Sequence, residues 1–369
     1  MTPSSRTTHR TWLLGWALVL TGSAVLWVAP ALARKEVLTP EEKDHQRRAS
    51  QLRLEAIALT AHGPIATTEL EAAATAQLSQ LGYQVVANPA QPHDATLKIK
   101  CEERKTWEGT DRLGGDADRI DAAVRLWKGP ACQLAYRVDG RWAEWRHEIR
   151  TDFSDPQEAA QRAGQTDAGA YAIAQLTARL RTDPFPLLLA AEWGQTPRVL
   201  AALHAGTITP EKKQMVITLL GTMLADEAIP DLTTALQDAN PAIVQSAAVA
   251  LGTIGHEDSI APLLNLFCSG PPQHHQAAAL GLGRLAPLHP TSEIVPTLLA
   301  ALPKEPIPLQ TVIVRALGKT TDRRVLEPLR ALHRATLKQT RSDSTPELKE
   351  LLVTLGIALD GFDGVHTEE

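Results

Sequence analysis

Five Leu-Gly pairs in the second half of this 369-residue chain keep a spacing that leaves little choice of architecture. The pairs are Leu220-Gly221, Leu251-Gly252, Leu282-Gly283, Leu317-Gly318 and Leu355-Gly356, at intervals of 31, 31, 35 and 38. Between them stand Pro197, Pro230, Pro262, Pro296 and Pro328, at intervals of 33, 32, 34 and 32. Pro210, Pro241 and Pro272 precede the first three Leu-Gly pairs by about ten residues, Pro306 and Pro308 flank the fourth such place, and Pro346 falls slightly late in the fifth. Three markers sharing one period indicate stacked repeats.

Each unit reads as two helices. The first opens around one proline, which is tolerated in a first turn but costly deeper in a helix. The second opens at the other proline and runs to Leu-Gly, where glycine either closes the helix in a left-handed conformation or admits a close neighbour. In VQSAAVALGTIG (244–255), Val244, Ala247, Ala248 and Leu251 follow the i, i+3, i+4, i+7 template of a helix with one apolar face. Ala247 and Ala248 are small enough to let layers approach.

The run from Asp238 to Gly255 resembles the short HEAT repeat, of the kind also found in phycobilisome lyases, and the likeness extends over roughly 190–362. It implies a mainly α protein whose C-terminal part, 187–362, is an α-solenoid of five HEAT-like helix pairs. Such repeats serve many unrelated purposes, so they imply a fold before a function. Where short HEAT repeats often carry Arg after the Val of the second helix, this chain has Gln214, Gln245, Gln276, Thr311 and Lys349. The resemblance places second helices on the concave side, so this column is the candidate binding ridge, with an ordinary solvated face as the alternative.

At the other end, Arg6, His9 and Arg10 precede an uncharged apolar run, and Ala31-Leu32-Ala33 precedes Arg34-Lys35. That order is expected of a secretory signal peptide (1–33) cleaved after Ala33. An uncleaved anchor is the alternative, because 12–33 is long enough to span a bilayer. Either reading sends the remainder out of the cytoplasm, to the periplasm or beyond. In an oxidising compartment Cys101 and Cys132 could form a disulfide; otherwise they are two buried thiols. Cys268 falls on an apolar helix face and reads as a small core residue.

Residues 34–183 read as an α+β domain with an antiparallel sheet. A helix over 67–81 ends at Gly82. Short 84–87 and then ATLKIKCEERKTW, RIDAAVRLW, CQLAYRV and RWAEWRHEI alternate as half-buried strands. Lys128-Gly129-Pro130 reads as a turn, and Asp139-Gly140 as a tight hairpin. One long helix with Ala163, Ala170, Ile173, Leu176 and Leu180 on its stripe follows, and Asp183-Pro184-Phe185-Pro186 begins a linker. The element order resembles small α/β modules of bacterial envelope-assembly proteins, with no motif residue to carry over.

Other clusters read more plainly as structure than as chemistry. Asp111, Asp116 and Asp118 sit in a Gly-rich loop without the ligand ladder of an EF-hand. His274 and His275 point about 100° apart on a helix and read as a solvated helix start, with His256 and His289 elsewhere. Trp107, Trp127, Trp142 and Trp145 cap the sheet's core or form a partner face. No nucleophile motif, metal spacing or cofactor loop is present, and a formal net charge of −5 gives no case for nucleic acid. The expected function is therefore a non-enzymatic, exported scaffold that binds a protein or peptide. Its alternatives are an envelope-assembly factor tethered by an uncleaved helix, the one case with membrane contact, or an auxiliary subunit of an enzyme.

Overall fold

The computed structural model describes residues 39–88, 90–110, 124–206 and 208–363. The expected signal peptide lies outside them, as do Asp111, Asp116 and Asp118. Among the described residues no helix is long and apolar enough to cross a membrane.

The first part runs α1 (Pro40–Arg48), β1 (Gln51–Thr60), β2 (Gly63–Ile65), α2 (Thr68–Gln80), β3 (Gln84–Val86), β4 (Ala95–Thr110), β5 (Val124–Val138), β6 (Arg141–Trp142), β7 (His147–Arg150), α3 (Pro156–Arg162) and α4 (Ala168–Leu180). The sheet follows the path β2-β1-β4-β5-β6, with β3 also on β1 and β7 also on β5. It is mixed, not antiparallel as expected: β1 pairs parallel with both β3 and β4. The cause is α2, rich in Ala, Glu and Gln, which buries Leu70, Ala73, Ala74 and Leu78. Its crossover returns the chain in the same direction, as a parallel pair requires.

Two further expectations are corrected here. Gly129-Pro130 does not turn the chain, because β5 runs through it. The ladder slips opposite, between Glu102 and Lys105, so Pro130 stands at a bulge, where its missing N–H breaks no ladder bond. The single long helix is two, since Gly164 adopts φ +69° between α3 and α4. Cys101 and Cys132 pair in register across β4 and β5 and form a buried disulfide.

Asp183 does not begin a free linker. It accepts from Phe185 N at 2.8 Å, contacts His147 Nε2 at 2.7 Å, and leads into α5 (Phe185–Glu192). That helix serves two cores: Phe185, Leu189 and Trp193 pack with the sheet, whereas Leu187 and Ala190 pack with the helices that follow. Trp193 sets its ring edge-on to Tyr83 and Tyr136, with centroids 6.0 and 5.2 Å away. Buried Gln195 bridges the same junction. Its Oε1 accepts from the Tyr83 hydroxyl at 2.7 Å, and its Nε2 donates to the carbonyls of Gln46 and Ala49, both at 2.8 Å. Burial raises the pKa of both tyrosines, Tyr136 to about 12, so both hydroxyls stay protonated donors.

Helix pairs follow: α6 (Thr196–Leu203) with α7 (Pro210–Thr222), α8 (Ile229–Ala235) with α9 (Pro241–Ile254), α10 (Ile260–Ser269) with α11 (Pro272–Leu285), α12 (Ile294–Ala301) with α13 (Ile307–Leu317), and α14 (Leu326–Ser342) with α15 (Pro346–Asp363). The marker prolines fall within the first turns, as expected. Second helices stack in order, α7 on α9, α9 on α11, α11 on α13 and α13 on α15. Their seams are made of small residues. A Cβ on Gly221 would lie 2.9 Å from Ala250 Cα, one on Gly252 2.5 Å from Gly281 O, one on Gly283 2.7 Å from Ala316 Cβ, and one on Gly318 2.7 Å from Ala358 Cβ. Four of the five periodic Leu-Gly glycines therefore seat the next layer, and the left-handed closure falls instead on Gly255 after α9. Gly356 is the fifth, and nothing approaches it within 4 Å.

That difference gives one motif two opposite outcomes. Gly252→Ala puts a methyl against backbone that cannot yield, and should cost about 1–3 kcal/mol through overpacking. Gly356→Ala meets open space and should gain up to about 1 kcal/mol from helix propensity. Urea titrations of dilute protein check both, and equal shifts of the same sign would contradict the seam.

Candidate functional site

Successive helix residues lie 100° apart, so the packing of α9 sets the directions of a second helix. Gly252 faces the next layer, Ala250 the previous one, and Val244, Ala247 and Leu251 the core. The remaining side is solvent. Gln245, seven residues before Gly252, stands at its edge and is exposed, and Gln214 and Gln276 are exposed on α7 and α11 in the same register. Three neighbouring layers thus carry a row of glutamines.

The expected column breaks after the third layer. Thr311 is only 4% exposed, and its hydroxyl donates to the Ile307 carbonyl at 3.0 Å, so it belongs to the interior of α13 and not to a ridge. Lys349 is exposed but out of register. Previous-layer contacts fall two residues before the motif glycine in α9, α11 and α13 (Ala250, Gly281, Ala316), but on Ala358 in α15. The shift is one helical turn, and Val353 takes the place that Gln245 holds in α9. Leu-Gly spacing alone does not register this turn.

Two more rows complete the surface. One turn beyond the glutamines come exposed Thr218 and half-buried Val249 and Leu280, and a turn further Thr222, Thr253 and Arg284. Arg284 Nη1 donates to Thr253 Oγ1 at 2.8 Å, tying two layers along the third row. At the other end Lys213 pairs with Asp238 of the next unit. The hydrogen bond from that ammonium, together with one from Asn240 N, holds the Asp238 carboxyl below the usual carboxylate range. The surface is a shallow apolar strip between two rows of neutral or basic hydrogen-bonding groups.

Elsewhere the side chains named from sequence take structural parts. His274 is buried, not solvated, and His275 sits half-buried against Phe267 with Nε2 3.1 Å from the Gly270 carbonyl. His256 Nδ1 accepts from Asp258 N at 3.2 Å, and His289 Nε2 lies 2.8 Å from the Gly255 carbonyl. Among the described residues no group of three or more His, Cys, Asp or Glu could hold a metal ion. Cys268 is exposed, not a core residue, because it lies off the Leu263–Leu266–Phe267 face of α10. Trp107 and Trp127 pair in register across β4 and β5. Trp145 packs on Tyr136, whereas Trp142 is 44% exposed between Lys98 and Arg137, both cations within 6 Å of its ring.

Residues 196–283 match the family model for HEAT repeats. The matched span begins at α6 and ends in α11, so it includes all three glutamines. No curated protein matches the chain.

Proposed function

We propose that this chain is a non-enzymatic scaffold, exported from the cytoplasm, that binds a protein or peptide along the Gln214–Gln245–Gln276 row. The observation that carries the reading is the repetition itself. One polar residue type exposed in the same register on three adjacent layers makes a continuous contact line. Glutamine both donates and accepts, as a peptide backbone or amide side chain needs, and adds no charge to attract a polyanion. The strip of Thr218, Val249 and Leu280 beside it offers apolar contact to alternate side chains of such a partner. The buried Cys101–Cys132 disulfide supports export, since such bonds persist in oxidising compartments. The basic, apolar, Ala-x-Ala order of residues 1–33 supports it independently.

The test is partner recovery from envelope extracts with the chain and with a variant carrying Gln214→Glu, Gln245→Glu and Gln276→Glu. The three side chains are solvent-facing, so the variant should melt within about 0.5 kcal/mol of the parent. Recovery should fall at least tenfold. Undiminished recovery would move the partner to another surface, with the Trp142-bearing sheet edge first in line.

A further inference from the structure

We propose that the chain forms a twofold dimer through the outer face of α15. In each earlier layer the side that faces forward is covered by the next second helix. On α15 that side carries Lys349, Val353, Gly356 and Asp360, with Ile357 beside them. Val353 is 62% and Ile357 68% exposed, the two highest values among the exposed large hydrophobic residues. A terminal repeat in a solenoid ordinarily ends in a polar face. On α15 two large apolar side chains stand exposed instead, and by the contact register Asp360 holds the place of Gly252 in α9 and Gly356 that of Ala248.

The face is complementary to itself. Spacings of four, three and four place Lys349, Val353, Gly356 and Asp360 in one stripe on the helix. If a second α15 is laid antiparallel about a twofold axis between residues 354 and 355, Val353 meets Gly356 of the other copy, and Lys349 meets Asp360. Each contact occurs twice. The glycine receives a small side chain, as the motif glycines do within the stack, and opposite charges close both ends. Lys349 and Asp360 make no ion pair with another described residue, whereas neighbouring Glu350 is engaged by Arg315 at 3.5 Å.

The geometry also selects a closed dimer over a filament. Head-to-tail growth would need an open first layer, but α5 packs there and α7 is in contact with it. Among the described residues no helix covers the outer face of α15, and one self-complementary face closes on itself. An 18-residue helix is about 27 Å long, so the interface sits at the small end of specific ones and belongs to the micromolar range.

Sedimentation equilibrium of the full chain, as processed by the cell, tests the proposal. The parent should move from monomer to dimer as concentration rises through the micromolar range. Lys349→Asp and Asp360→Lys should each weaken association at least tenfold, and the double variant should restore it. Val353→Arg should abolish it without moving the melting temperature, which separates loss of the interface from loss of the fold. A parent that stays monomeric to about 100 μM, or a double variant no better than the single ones, would overturn the proposal.

Discussion

Trp193→Ala should cost about 3–5 kcal/mol, the range for deleting a fully buried large aromatic residue. The ring is 2% exposed and packs edge-on against Tyr83 and Tyr136, so two aromatic contacts are lost with the burial. Its position makes the loss larger in consequence than in size. Trp193 caps α5, whose other face belongs to the helical core, so a cavity there loosens the joint between sheet and solenoid. The parent should melt in one transition; in the variant the sheet should melt ahead of the helices. Near-ultraviolet and far-ultraviolet dichroism recorded on one sample would separate the two signals. A single transition shifted by under 1 kcal/mol would show that Trp193 does not hold the joint.

Replacing both Cys101 and Cys132 by Ala should cost about 3–4 kcal/mol. The bond closes a loop of 31 residues, and in the chain-entropy treatment its removal frees an unfolded ensemble of that size. Both residues are inaccessible to solvent and stand in register on adjacent strands, so the native ladder is expected to survive while its margin shrinks. Guanidinium titrations of the parent and the double variant measure this. A midpoint unchanged between them would mean that the bond contributes nothing to stability.

The parts legible in the sequence were those that local spacing controls. Leu-Gly and the two proline series mark helix starts and seams because one layer contacts only its neighbours, so the period survives in the chain. The glycines left two roles open, closure or close approach, and only the packed layers separate Gly252 from Gly255. Legibility failed where a distant segment decides. Strand β1, QLRLEAIALT, alternates over 51–56 but loses the period at Ile57 and Leu59, and its parallel partners come from beyond α2, so local alternation does not place it in the sheet. Gly129-Pro130 has the composition of a turn, yet the bulge that accommodates it lies on β4. Thr311 and Lys349 both follow the motif spacing, but burial takes Thr311 out of the row and one turn of shift in α15 takes out Lys349.

The row of glutamines is the centre of the functional reading, and a photo-crosslinking residue placed at 245 tests it most directly. A second copy of the experiment places the same group at exposed Thr234, on the first helix of the same unit. Expected is a crosslink to one partner from position 245, none from 234, and loss of the crosslink when Gln214 and Gln276 are changed to Glu. A crosslink from 234 with none from 245 would contradict binding along the second helices.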